Sequence, residues 1–137
     1  MTRINVIPVE ELSDQHLLAE YRELPRVLKQ NIDVKGAREK YHLGVGHMKW
    51  ARRHWLFTLN RFRSLCDEMT HRNYFPRYNP ENLSIYLVDI AREYPEATYE
   101  VSESDILLNR KRILEKYKLH PEHYTWTNRE MPTWIME

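Results

Sequence analysis

Apolar residues recur along this chain at helical spacing, and that rhythm predicts most of its elements. From Asp14, the residues Leu17, Tyr21, Leu24 and Leu28 stand at i, i+4, i+7 and i+11. At about 100° per residue they form a stripe about 60° wide that can face a core. Ser13 precedes the stripe as an N-cap, and Asp14 stands in the first turn, where a carboxylate favours the helix dipole. Pro25 falls inside the pattern, and the continuation to Leu28 predicts a kink there rather than a stop. From His47, the residues Met48, Ala51, Trp55, Leu59, Phe62, Cys66 and Met69 form a second stripe. It predicts one helix of about six turns, with Trp55 in the core and Trp50 unassigned.

Punctuation sets the remaining boundaries. Gly36 and Gly44-Val45-Gly46 bracket a connecting segment, and residues 72–80 read as a loop. Asn79-Pro80 predicts a cap and first turn for a shorter helix through about Arg92. Ser102-Glu103-Ser104-Asp105 resembles a capping box, opening a helix to about Leu119 that His120-Pro121 closes. The aromatic tail, with Tyr124, Trp126 and Trp134, is expected to pack back on the body. Strand signals are short and isolated, at Ile4 to Val9 and Thr98 to Val101. The expected fold is all-α: a compact single domain over residues 1–137, with three to four helices and long irregular connections.

Composition narrows the function classes. With 42% hydrophobic and 12% aromatic residues the chain is globular, and no apolar run approaches a membrane span or a signal-peptide core. The lone Cys66 excludes an internal disulfide and fits a reducing cytoplasm; a small buried apolar residue is its simplest reading. The net charge of +1 conceals a segregation. Between Lys40 and Arg63 there are six Lys/Arg and no acid, whereas Glu81 to Asp105 holds seven acids and one base. A positive face for nucleic acid and two separately solvated helices are equally compatible with that pattern.

A second stripe on the first helix carries candidate chemistry. Gln15, Arg22, Arg26 and Lys29 share one face, where basic residues at this spacing can follow a row of phosphates. Glu23 stands about 80° from the centre of that stripe, at the angle of His16 and Ala19. Its plainest reading is a surface pair with Arg26, worth a few tenths of a kcal/mol. At the N-terminus, small Thr2 permits removal of the initiator methionine. The freed α-amine would have a pKa near ~7.7–8, against ~10.4 for lysine, and so serve as a nucleophile at neutral pH.

Several other motifs point elsewhere or nowhere. Seven histidines and one cysteine include no HExxH and cannot build a zinc finger. His120-x-x-His123 flanks a proline at a helix end, so no metal is assigned. Gly44-x-Gly46-His47 lacks the third glycine of a dinucleotide fingerprint and reads as a turn into a helix.

Thr2-Arg3-Ile4-Asn5, Gln15-His16, Ala19-Glu20-Tyr21-Arg22-Glu23-Leu24-Pro25-Arg26-Val27 and Leu43-Gly44-x-Gly46-His47 closely resemble the phage-type pyrimidine-dimer DNA glycosylase/AP lyases, the UV endonucleases. The first 27 residues match without a gap, and the likeness is looser beyond Met48. The resemblance implies attack by the Thr2 α-amine on the sugar C1′ of a dimer's 5′ nucleotide. It implies that Glu23 stabilises oxocarbenium-like charge and moves protons for β-elimination on the 3′ side. Arg3, Gln15, His16, Arg22 and Arg26, with Arg112 and Lys116 by spacing, match positions that hold DNA near the lesion. The expected partner is double-stranded DNA carrying damaged pyrimidines, bound by a monomer in a bacterial or phage-infected cytoplasm, with no cofactor. The Lys49-Trp50-Ala51-Arg52-Arg53-His54-Trp55 segment departs from the family's Phe/Tyr-rich pattern, and Thr127 to Glu137 extends the tail. Another damaged or modified pyrimidine as substrate, or a non-catalytic DNA-binding module, are the alternative readings.

Overall fold

Two long helices pack side by side to form the centre of the protein, in a computed structural model that describes residues 4–136. Helix α1 spans Asp14–Lys29 and helix α3 spans Trp55–His71. Between them, α2 covers His47–Arg53; after them come a 3-10 helix at Pro80–Leu87 and α4 at Val88–Glu93. Helix α5 (Glu103–Leu119) and the short α6 (Thr133–Met136) complete the set, with further 3-10 turns at Val9–Glu11 and Pro121–His123. No strand occurs among the described residues, and no helix among them is long and apolar enough to cross a membrane. The all-α expectation therefore holds, with α1, α3 and α5 as the three long helices.

The first helix follows its pattern closely. Ser13 Oγ accepts the backbone N–H of His16, and Leu17, Leu24 and Leu28 are completely buried against α3 and its surroundings. Each such leucine contributes roughly 1.5–3 kcal/mol through removal of apolar surface from water. The helix continues through Pro25, which is itself buried. Ser102 and Asp105 form the predicted capping box at the start of α5. Asn79 caps the Pro80 segment by accepting the Glu81 N–H, but the first two turns there are 3-10 before α4 begins.

The single six-turn helix predicted from His47 is instead two helices, broken at His54 (φ −99°, ψ 49°). The break is stabilised by groups far apart in sequence. Thr58 Oγ1 donates to the Ala51 carbonyl at 2.6 Å, and the Ala97 carbonyl accepts from Leu56 N at 3.2 Å and Phe57 N at 3.4 Å. The opening N–H groups of α3, which a helix start leaves without internal partners, are thus satisfied from elsewhere. The rotation at the break exchanges the tryptophans. Trp50 is fully buried among Tyr41, His47, His54 and Tyr99, while Trp55 is only half-buried, its Nε1 donating to Tyr94 O at 2.7 Å.

The basic segment also folds differently from a solvated face. Arg52 and Arg61 are buried. Arg52 donates to the carbonyls of Leu28 (2.6 Å) and Tyr86 (3.3 Å), joining α1 to the Pro80 segment. Arg61 pairs with buried Glu20 at 2.9 Å and donates to the Ile7 carbonyl. Two of the six cations that suggested a positive surface are therefore internal struts.

The aromatic tail does return to the body. Trp126 Nε1 donates to Glu11 O at 3.0 Å, and Trp134 Nε1 to Glu11 Oε1 at 2.9 Å. Thr125 and Thr127 donate their hydroxyls to Asp14 Oδ2, each at 2.7 Å. Fully buried Arg72 reaches the same carboxylate at 3.1 Å and Glu68 at 2.8 Å, while Arg129 closes on Glu68 at 2.8 Å. Each charge in this cluster has hydrogen-bonded partners, the condition under which buried charges are tolerated.

Candidate active site

Residues 4–7 form an irregular segment that is hydrogen-bonded by buried polar groups from several elements. Ile4 N donates to His47 Nε2 at 2.8 Å, and the Ile4 carbonyl accepts from Tyr41 Oη at 2.8 Å. Asn5 Nδ2 donates to Glu20 Oε1 at 2.8 Å, and Asn5 Oδ1 accepts from Asn109 Nδ2 at 2.8 Å. Asn109 Oδ1 accepts from both Val6 N (2.7 Å) and Ile7 N (3.1 Å). Helices α1, α2, α3 and α5 all take part in this clamp through Glu20, His47, Arg61 and Asn109. A buried amide left without a partner costs about 1–3 kcal/mol, so such a set fixes the segment tightly.

The Gly44-x-Gly46-His47 turn makes the first of these contacts possible. Gly46 adopts φ +88°, a conformation costly to any residue with a Cβ, and begins α2. A Cβ there would also stand 3.3 Å from the His42 ring. The turn aims His47 so that its Nδ1 lies 2.7 Å from the His42 carbonyl. A carbonyl accepts only, so Nδ1 carries the proton and Nε2 presents its lone pair to Ile4 N–H. The turn reading of this motif stands, and its product is an anchor for the start of the chain.

Helix α1 presents the sequence-derived candidates. Gln15, Arg22, Arg26 and Lys29 are all exposed, on the side opposite Leu17, Leu24 and Leu28. Arg22, Arg26 and Lys29 surround a cleft of about 310 Å³ whose floor is Tyr21, Pro25 and Tyr78, with Lys29 Nζ 4.3 Å from the Tyr78 ring centre. Glu23 is half-buried beside this row, its Oε1 3.5 Å from Arg26 Nη1. It lies one turn beyond Glu20, the residue that holds Asn5.

The tail supplies a second wall. Gln15 Nε2 donates to Thr125 Oγ1 at 3.2 Å and Gln15 Oε1 accepts from Thr125 N at 3.0 Å, so the amide is oriented from both ends. His16 Nδ1 lies 2.8 Å from Ser13 Oγ, and its ring stacks on Tyr124 with centres 4.9 Å apart. Arg112 and Lys116 belong to α5, three and seven residues beyond Asn109; Arg112 pairs with Glu115 at 3.5 Å and Lys116 is exposed. Thr2 and Arg3 lie outside the described residues.

Cys66 is no rival nucleophile: burial, with a smaller effect of neighbouring Asp67, pushes its thiol up to about 11. The apolar pattern does not point to Glu20, Arg61 or Asn109, which do the anchoring. One signal was available: Glu20 stands between Leu17 and Leu24 at i+3 and i−4, where an acid intrudes on a buried stripe.

Residues 1–82 of the sequence match the pyrimidine dimer DNA glycosylase family. The chain belongs to that family: it is an enzyme, a DNA-repair glycosylase, and its substrate is DNA. The match spans α1 to α3 and ends just inside the Pro80 segment, before the α5 residue Asn109 and the tail that holds Gln15.

Proposed function

We propose that this glycosylase acts on UV-induced pyrimidine dimers through the Thr2 α-amine and also nicks the strand as an AP lyase. The observation that carries the reading is the pinning of Ile4 and Asn5 beside α1, with Asn5 held by Glu20 one turn from Glu23. Thr2 is two peptide units from the anchored Ile4, and a trans unit spans about 3.8 Å; that short tether supports the Thr2 amine as the nucleophile. Attack of the amine on C1′ forms a C–N bond as the glycosidic bond breaks, and the 5′ base takes up a proton while the cyclobutane ring keeps it tethered to its 3′ neighbour. The C1′–O4′ bond then opens, O4′ gaining a proton and the amine losing one. The resulting imine withdraws electrons, so loss of a C2′ proton expels the 3′ phosphate. Glu23 stabilises the cationic sugar and relays protons; Arg22, Arg26 and Gln15 hold the flanking backbone. Arg3, His16, Arg112 and Lys116 extend the DNA-contacting surface in this reading.

Borohydride trapping tests it. Tag-free protein, with Met1 shown to be absent by intact mass, is incubated with UV-irradiated duplex DNA and borohydride. A covalent adduct mapping to Thr2 is expected. Glycosidic cleavage or strand nicking without any adduct would overturn the amine mechanism, and DNA binding without either would leave only a binding module.

A further inference from the structure

We propose a transition-metal site at the end of α5, formed by His120, Glu122 and His123. The three side chains converge across a single 3-10 turn, Pro121–His123. One ligand atom from each lies within 4.8 Å of the other two, and Glu122 Oε1 stands 3.8 Å from both His120 Nδ1 and His123 Nε2. Donor atoms of a tetrahedral zinc site with bonds of ~2.0–2.2 Å stand roughly 3.3–3.6 Å apart, so the side chains need to draw together slightly to close on an ion. All three side chains are exposed and rotatable, so this closure needs no backbone movement.

Three features favour a cation there. The site follows directly on the C-terminus of α5, where the helix dipole is negative and the His120 N–H already turns back to Tyr117 O at 3.2 Å. The proline at the first position of the turn fixes its backbone, reducing the ordering that binding would require. The two imidazole rings are neighbours, stacked with centres 4.9 Å apart and planes 13° from parallel, and a rotation of one ring about its side-chain bonds brings both lone pairs onto one ion. Two imidazoles and one carboxylate suit zinc, cobalt or nickel better than calcium or magnesium, and leave a position open to water. Bound metal would join the end of α5 to the segment leading into Tyr124, which stacks on His16.

The test uses tag-free full-length chain and Co²⁺, whose visible absorption reports a low-coordinate nitrogen and oxygen environment, alongside Zn²⁺ calorimetry. One equivalent should bind and raise the thermal midpoint. The variant carrying both His120→Ala and His123→Ala should lose affinity by more than about tenfold, the least that loss of even an outer-shell partner costs. Glu122→Gln should weaken binding while leaving the far-ultraviolet circular dichroism unchanged. Equal affinity and stoichiometry in the double variant, or no Co²⁺ band in the parent, would overturn the site.

Discussion

The Ile4 backbone N–H and the Nε2 atom of His47, 43 residues apart, share a buried hydrogen bond of 2.8 Å. Replacing His47 by Phe keeps a ring but removes the acceptor. The stranded N–H should cost about 1–3 kcal/mol in urea unfolding. Because the contact pins Ile4, two residues from Thr2, glycosidic cleavage should fall further than the folded fraction does. Unchanged turnover of fully folded His47→Phe would show that the anchor is irrelevant to the reaction.

Glu23→Gln removes the carboxylate while preserving shape. Glycosylase turnover should fall by several orders of magnitude, with duplex affinity retained because a negative group beside the phosphates has been removed. A gel-shift and a single-turnover assay on the same preparation check this; near-normal turnover would refute the role given to Glu23.

Arg22 and Arg26 are exposed on one face of α1. If each contacts a phosphate, Arg22→Ala and Arg26→Ala should each lower the slope of log affinity against log salt by about 0.9. A slope that does not change in either variant would remove the α1 stripe from the DNA interface.

Acid sensitivity should trace to the tail cluster. Burial alone would raise the Asp14 pKa, but hydrogen bonds from Thr127, Thr125 and Arg72 hold it below the usual carboxylate value. Glu68 is likewise opposed by burial and pulled down by Arg129 and Arg72. A folded-state pKa below the unfolded one means that the stabilisation is present above the unfolded value and lost as pH falls through the folded value. Stability measured by denaturant should therefore decline below about pH 4.5, the ordinary glutamate range. Glu68→Gln should be less stable at pH 7 and show a shallower acid decline. A parallel pH profile for parent and variant would exclude Glu68 as a source.

Imine chemistry draws its electrophile from the sugar and needs no metal. Glycosidic cleavage and nicking should therefore persist in excess EDTA, even though the chelator would strip any ion held by His120 and His123. Loss of glycosidic cleavage in EDTA, restored by zinc, would contradict the Thr2 mechanism.

Local rules made α1, the capping box of α5 and the return of the aromatic tail legible in the sequence. Ser13, Leu17, Leu24, Leu28, Ser102 and Asp105 act through neighbours within a turn or two, and periodicity reads such neighbours directly. The break at His54 was not legible, because it depends on the Ala97 carbonyl arriving from another part of the chain. The burial of Arg52 and Arg61 was hidden for the same reason: a composition count cannot tell a surface cation from one donating to Leu28 O or Glu20. At the candidate site, the exposed row of Gln15, Arg22 and Arg26 follows from helical angle. The grip on residues 4–7 does not, since Asn109 meets Val6 across 103 residues.

The hold of the tail on Gln15 and Asp14 gives synthesis a direction. Thr125 and Thr127 bond to residues 110 to 113 positions earlier, so these contacts form only after residues 125–127 have left the ribosome. A nascent chain that already displays α1 to α3 still leaves Gln15 without the Thr125 contacts that orient it and His16 without Tyr124. Premature termination after α4 would release α1 with Gln15, Arg22 and Arg26 but without Tyr124, Thr125 and Thr127, the residues that brace His16, Gln15 and Asp14.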